Sequence, residues 1–434
     1  MPRRRQLARV VALTLASLAA LPSAAQSLRL DYEVGASYTH SDNINLSETA
    51  PDSESVLSPE LRFTATQSGS RVQLQARGTM QYLAYSSSAY DDDFAGEFAG
   101  QINWVLLPER ISFVVEDVMT RQAVNPAGGF TPDNQEQINV FVAGPSFFAR
   151  FGDAMRGQVD LRYSDTYAEE NQSFNGTRYN AALRLFRELG ALDWVSLNAE
   201  ATKAEFDIDT GAPDYQRYDA YFGYRRELQR YTLEAALGYS RLETDDDDGH
   251  ESSPLARVTL EWMATPRSTL SASANYGFGD TASDLIALGE RPQVPIGAGT
   301  YNVAAGPDVY RERRVEVGYR FEGERLGFEV RPYYERFDYV SGLSQDVEAR
   351  GMSAGIDYRL MPRTTLSLTG TRQSRELFDG TQDDDDSVLR LGLEHEFTRH
   401  WRAMVAAQRR ERDSSIVGQS YEENLAMLSV TWQR

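Results

Sequence analysis

Few side chains of this 434-residue chain combine into a recognisable catalytic group. The sequence has no cysteine, and its four histidines are His40, His250, His395 and His400. Zero cysteine excludes a thiol nucleophile, a cysteine-ligated metal site and a disulfide scaffold. His40 stands beside Ser41 and Asp42, which are the residue types of a hydrolytic triad. A triad is recognised by its geometry, and this local spacing positions no general base. We therefore predict that the chain is not an enzyme and holds no cofactor.

Runs of aspartate are the second group that could do chemistry. They occur at 91–93, 245–248 and 383–386, and hard divalent cations prefer such oxygen ligands. Their spacing matches no calcium-binding loop, and a run of like charges is usually a solvated segment. We predict no metal site and place the runs in external loops, where divalent cation binding stays an open alternative. Acidic residues outnumber basic ones by 64 to 44, which argues against a nucleic-acid partner.

The first residues have the order of an export signal. Three arginines at 3–5 precede an apolar run at 10–21, and small residues follow at 23–25. This is the pattern of a secretory signal peptide, and the apolar run is too short to span a membrane. We predict a signal peptide over 1–25 and a mature domain over 26–434.

Beyond this segment the sequence alternates with a period of two. Leu28, Leu30 and Tyr32 share one parity, while Arg29 and Asp31 share the other. Successive side chains of a strand point to opposite faces, so such segments predict strands with one apolar and one polar face. The pattern recurs along the chain, and no segment with a helical period is found.

The connections between these strands alternate between short and long. Short ones are predicted at 67–70, 107–110, 152–155, 188–192, 228–230, 265–268, 322–325, 361–364 and 398–400. Long ones include 40–55, 122–137, 242–252, 279–309 and 374–386. The 279–309 connection has room for a further hairpin, and whether it plugs the lumen stays open. Short turns on one rim and long loops on the other are typical of an outer-membrane β-barrel. Counting gives about 20 antiparallel strands, within a range of 18–22, and an even number returns both termini to one side. Closure also removes the edges that a sheet of this size would otherwise expose.

The polar parity of the strands predicts the residues that line the lumen. Charged side chains of both signs occur in it, so the lumen would be wet and could select solutes by charge. Pairing across strands, which would merely stiffen the wall, is the equally open alternative. The candidate lumen-lining residues are Arg77, Arg162, Arg184, Arg257, Arg320, Arg390, Glu234, Glu261, Glu316 and Glu394.

Three stretches carry a family resemblance. They are the segment 38–47 (YTHSDNINLS), the segment 112–122 (SFVVEDVMTRQ) and the segment 137–145 (QINVFVAGP). Together with the signal peptide and the barrel pattern, they resemble the β-barrel porins found beside exopolysaccharide biosynthesis genes and the PEP-CTERM sorting system. The resemblance implies a protein of the bacterial outer membrane that takes part in polysaccharide secretion.

These observations predict a passive hydrophilic pore in the outer membrane, linked to exopolysaccharide secretion. The expected partners are outer-membrane lipid and lipopolysaccharide, a polysaccharide or small hydrophilic solute, and a periplasmic export partner. One alternative is a structural or adhesive surface barrel that presents acidic loops. The last in rank is an outer-membrane lipid hydrolase.

Overall fold

The computed structural model describes residues 28–125, 127–208, 213–245, 250–289, 306–341, 344–377 and 382–434. The predicted signal peptide lies outside these residues. The described chain forms twenty strands. They are β1 (Arg29–Ser41), β2 (Glu54–Ser68), β3 (Val72–Tyr85), β4 (Asp93–Leu107), β5 (Ile111–Gln122), β6 (Glu136–Phe151), β7 (Met155–Ala168), β8 (Gly176–Gly190), β9 (Asp193–Phe206), β10 (Tyr215–Leu228), β11 (Tyr231–Thr244), β12 (His250–Thr265), β13 (Ser268–Asp280), β14 (Val309–Glu322), β15 (Leu326–Tyr339), β16 (Val347–Met361), β17 (Thr364–Leu377), β18 (Gln382–Glu396), β19 (Trp401–Ser414) and β20 (Tyr421–Gln433).

Each strand pairs antiparallel with its neighbours in sequence, and β20 pairs with β1. The sheet is therefore a closed ring of twenty strands, which confirms the predicted fold class. Within the described residues, one α-helix, α1 (Thr281–Gly289), follows β13, and two 3₁₀ turns lie at Pro132–Asn134 and Gln172–Phe174. None of the described helices is long and apolar enough to cross a membrane.

The strand register assigns every strand residue to one of two faces. Tyr38 of β1 lies opposite Leu57 of β2 and Leu428 of β20, and all three side chains are about half exposed. On the other parity, Ser37 lies opposite Ser58 and Ser429. Large apolar side chains thus form the outer face of the ring, as the alternating sequence predicts.

The two ends of the barrel differ as predicted. All nine predicted short connections lie between the strands that they were expected to join, at the end that also carries the N-terminus of β1 and the C-terminus of β20. The prediction for the third acidic run was wrong, because β18 begins at Gln382 and includes residues 383–386. Inside this strand Asp384 pairs with Arg375 and Asp386 pairs with Arg412. Charge pairing across neighbouring strands allows a run of aspartates to continue a sheet.

The two faces predict opposite responses to a new charge. Leu391 lies in the apolar band of β18 and is 49% exposed on the outer face, whereas Thr371 of β17 lies on the inner face opposite Val388. We expect Leu391→Arg to lower the free energy of unfolding in lipid vesicles by about 2–4 kcal/mol. Thr371→Arg is the matched control, because its guanidinium would remain in water. Equal losses in urea unfolding of the two variants would contradict the assignment of the faces.

Candidate functional site

The ten candidate lumen residues all lie on the inner face of the ring by strand register. Several of them pair with a neighbouring strand. Arg320 contacts Glu329 at 2.8 Å, Glu234 contacts Arg225 at 3.2 Å, Glu316 contacts Arg331 at 3.5 Å and Glu394 contacts Arg402 at 3.8 Å. Arg257 and Glu261 are exposed on the same face. Their use by a solute stays a prediction.

A charge ladder joins β6 to β10 on this inner face. Asp160 is 3% exposed and accepts a hydrogen bond of 2.5 Å from Ser146. Arg162 and Arg184 both contact Asp160, and Arg184 reaches on to Glu200 at 3.0 Å. Each buried carboxylate in the ladder thus has a cation beside it, which is the condition for burying charge at a tolerable cost. This part of the wall is rigid and nearly neutral.

The long connection after β13 folds into the lumen. Helix α1 contacts β5 and β6 on the far wall as well as β13. Ala282 and Leu285 of the helix, each 1% exposed, pack against Ile138, Val140 and Val142 on the inner face of β6. Burying these apolar side chains against each other removes them from the water of the lumen. The helix therefore lies across the interior as a plug.

Asp280 fastens the start of this helix. Its carboxylate accepts hydrogen bonds from the Ser283 backbone N–H at 3.1 Å and from the Ser283 hydroxyl at 2.7 Å, which is the geometry of an N-cap. The same carboxylate is 1% exposed and lies 3.7 Å from Arg178 of β8 and 3.6 Å from Arg217 of β10. One side chain thus caps the helix and ties it to the barrel wall.

Asp284 makes the second polar attachment of the helix. The Tyr310 hydroxyl of β14 donates a hydrogen bond of 2.6 Å to its carboxylate. Two further carboxylates lie next to this bond, Glu312 and Glu335, and both are almost fully buried. Both contact the same cation, Arg314, so negative charge predominates there. Burial raises the pKa of Asp284 to about 6, although the hydrogen bond from Tyr310 and the charge of Arg314 act to lower it.

A second segment, residues 123–125 and 127–135, also enters the lumen, at the end of the barrel that carries the long connections. The Ala127 carbonyl accepts hydrogen bonds of 3.3 Å from Gln382 of β18 and from Arg412 of β19. Ala127 also packs against the buried cluster of Tyr310, Phe337, Val347 and Leu377. The connection that begins at β5 therefore reaches strands that lie far from it in the ring. Together with α1, it fills the end of the barrel that carries the long connections.

The sequence left open whether the 279–309 connection plugs the lumen, and it did not predict the helix. The 279–309 connection was expected to be a loop with room for a hairpin, and instead its first described part is a helix. Residues 290–305 lie outside the described part of the chain. One signal was available in β6. Ile138, Val140 and Val142 are apolar on the inner parity, while Phe141 and Ala143 are apolar on the outer one. A strand that is apolar on both faces needs a cover on each.

The candidate hydrolytic group does not assemble. His40 Nδ1 lies 3.0 Å from the hydroxyl of Ser55, Ser41 donates to Glu423, and Asp42 accepts from Asn424. The three neighbours thus have separate partners, one in β2 and two in β20. Among the described residues, no group of three or more acidic or histidine side chains has the geometry to hold a metal ion.

Comparisons with known proteins agree with the barrel. The model of a sequence family described as "Putative beta-barrel porin 2" matches residues 342–434, a segment that includes β16 to β20. The match covers the last five of the twenty strands, and the fold is a closed antiparallel β-barrel. No curated protein matches this sequence.

Three solved structures of similar shape are an iron transporter and two receptors by their own descriptions, and each is distant in sequence from this chain. The FrpB iron transporter (F3-3 variant) from Neisseria meningitidis is 9% identical, with a TM-score of 0.44 over 93% of this chain and 81% of that chain. The siderophore receptor PirA from Pseudomonas aeruginosa is 12% identical, with a TM-score of 0.46 over 94% and 80%. The ferric enterobactin receptor PfeA (Q482A mutant) from the same organism, in complex with enterobactin, is 10% identical, with a TM-score of 0.47 over 94% and 82%. At these values the likenesses say nothing about the function of this barrel.

The pKa of Asp284 makes attachment of the helix depend on pH. In water this carboxyl would have a pKa of 3.8, and in the docked helix it is about 6. The docked state therefore binds the proton more tightly, so attachment is strongest below about pH 4 and weakens as the pH rises through about 6. The titratable and charged groups that face Asp284 are Tyr310, Glu312, Arg314, Glu335, Tyr339 and Asp280.

We expect Asp284→Asn to weaken the pH dependence of docking between pH 5 and pH 7 without removing it, because the buried carboxyl of Glu312 stays beside the helix. Asp280→Asn should instead loosen the helix at both pH values, because Arg178 and Arg217 lose their counter-charge. A nitroxide label on Ala287→Cys would measure this, since the chain has no other cysteine and this side chain is exposed. Label mobility that rises on acidification in the otherwise native protein would contradict the prediction.

Proposed function

We propose that this barrel is a passive hydrophilic passage through the outer membrane, restricted at its external end by helix α1 and the segment 123–135. The observation that carries the proposal is the position of α1. Leu285 packs on the inner wall of β6, and Asp280 lies between Arg178 and Arg217. A barrel that served only as an anchor would not require a helix that crosses from β13 to β6.

The inner wall below the plug supports passage of a hydrophilic solute. Charges of both signs line it, and most are held in place by a neighbouring strand, as Arg320 is by Glu329 and Glu316 is by Arg331. Fixed charges in a wet lumen attract water and polar groups without giving the passage one sign of selectivity. Such a wall suits a neutral or weakly charged solute better than a strongly charged ion.

We further propose that the solute is an exopolysaccharide or a fragment of one. This part of the proposal rests on the resemblance of the segments 38–47, 112–122 and 137–145 to porins encoded beside exopolysaccharide genes. A neutral, hydrated polymer fits the mixed charge of the wall. The lumen would have to widen at its external end for a polymer to pass, which gives the plug a defined role.

The plug predicts low conductance that its removal restores. In planar bilayers we expect the native barrel to open rarely. Replacement of residues 281–305 by a short glycine–serine linker should give frequent, larger steps. Leu285→Asp should give an intermediate result, because it places a charge against Ile138 and Val140. The linker variant keeps Glu316 and Arg320. If it still conducts no current, the passage is excluded and the structural or adhesive barrel is favoured.

The solute can be tested separately in cells. A strain that lacks the protein should keep polysaccharide inside the envelope while its total synthesis is unchanged. The linker variant should restore secretion, and the native gene is the reference. Normal secretion in the deletion strain would exclude the polysaccharide as the solute. It would not affect the conductance result, so the two parts of the proposal can fail independently.

A further inference from the structure

The outer face of the barrel changes its chemistry around the ring. On β14, β15, β16, β17 and β19, the first charged side chain above the apolar band, on the side of the long connections, is an arginine. We name these residues the arginine row, and they are Arg313, Arg336, Arg350, Arg372 and Arg409. On much of the remaining ring the band ends instead in an exposed tyrosine, as at Tyr38, Tyr82, Tyr163, Tyr179, Tyr218 and Tyr239.

The ends of the arginine row are neutralised. Arg313 lies 3.1 Å and Arg336 lies 2.7 Å from Asp338, and Arg409 lies 2.9 Å from Glu422. Each of these arginines thus has a carboxylate partner on the same face. Exposed pairs of this kind contribute little to stability, and they leave little charge for a ligand.

The centre of the arginine row differs from its ends. Arg350 lies opposite Ser374, and Arg372 lies opposite Met352, so the two arginines are diagonal neighbours on β16 and β17. Diagonal neighbours on one face of a sheet lie roughly 7–8 Å apart. Both are exposed, and within the described part of the chain neither is in an ion pair. Two unneutralised guanidinium groups at this spacing can both reach one phosphate, which Arg binds through two parallel hydrogen bonds.

Apolar side chains lie directly below this pair. Met352 and Ile356 of β16 are 47% and 45% exposed, and Leu389 of β18 is 56% exposed. An acyl chain could pack along them while its headgroup meets Arg350 and Arg372. The arrangement of cations above an apolar strip matches an amphiphile that lies in the membrane beside the barrel.

The residues above the pair favour a ligand that arrives from the membrane. Glu348 and Glu376 stand on the same outer face, further from the apolar band, and Asp385 lies level with Arg350 across Ser374. A free anion approaching from outside would first meet these carboxylates, which repel it. A phosphate carried by a lipid meets the same repulsion, and burial of its acyl chains against the apolar strip offsets it.

We propose that Arg350 and Arg372 are the phosphate-binding centre of a lipid site on the outer face of β15 to β18. Its ligand is a lipid with a phosphomonoester headgroup, the class that includes the phosphorylated sugar lipid of the outer leaflet. The site is independent of the passage through the lumen. It fixes the orientation and height of this half of the barrel in the membrane.

The test measures lipid binding to the full-length barrel purified in detergent. The probe is diphosphorylated lipid A, compared with the same lipid after removal of both phosphates, and bound lipid is counted by native mass spectrometry. We expect Arg350→Gln with Arg372→Gln to weaken binding of the phosphorylated lipid roughly tenfold or more, because each cation near the surface contributes substantially to binding an anionic lipid. The double lysine variant should retain most of the affinity.

Arg241→Gln is the matched control, because Arg241 is an outward cation on β11, in another part of the ring, and pairs with Glu243 at 2.7 Å. It should bind lipid A as the native protein does. Heat-modifiable migration on gels checks that each variant keeps its barrel, and the single glutamine variants are expected to show intermediate losses. Equal binding of the dephosphorylated lipid, unchanged binding by the double glutamine variant, or displacement of the lipid by millimolar inorganic phosphate would each overturn the proposal.

Discussion

The need to pair every backbone amide within the membrane determines this structure. In lipid no water can satisfy an open strand edge, and each unpaired group costs several kcal/mol. The pairing of β1 with β20, in which Val34 lies opposite Trp432, removes the last edge. Once the ring is closed, each residue has a fixed face. The outer face must be apolar, and the inner face is free to carry Asp160, Arg184 and the rest of the charged ladder.

The same constraint explains why so much of the fold could be predicted from the sequence. A period of two is the direct consequence of one face in lipid and one in water, and it reveals each strand without any tertiary information. The short turns at one rim separate neighbouring strands, so counting between them gives the number of strands. The Asp383–Asp386 run shows where the pattern misleads, because four acids in a row look like a loop. Asp384 and Asp386 are strand residues only because Arg375 and Arg412 lie across from them, and no local pattern reveals a partner on another strand.

The contacts of the plug could not be predicted for a related reason. Its contacts join Asp280 to Arg178 and Arg217, which are separated from it by about 100 and about 60 residues of sequence, and which side chains meet inside a ring depends on its closed shape. The sequence of the wall nevertheless indicates which part of the inner face is covered. The inner face is charged along most strands and apolar at Ile138, Val140 and Val142. An apolar patch facing a wet lumen would be unfavourable, so this exception implies a covering element even before one is located.

The way the helix is attached suits an element that can leave. Its apolar contacts involve a single turn, with Ala282 and Leu285 as the deeply buried side chains, so the hydrophobic gain from docking is limited to a few side chains. The polar attachments oppose one another. Asp280 lies between two cations and favours docking, whereas Asp284 enters surroundings that already hold Glu312 and Glu335 with one arginine between them. The helix is thus held firmly at its N-cap and less firmly one turn later, and a proton on Asp284 favours the docked arrangement.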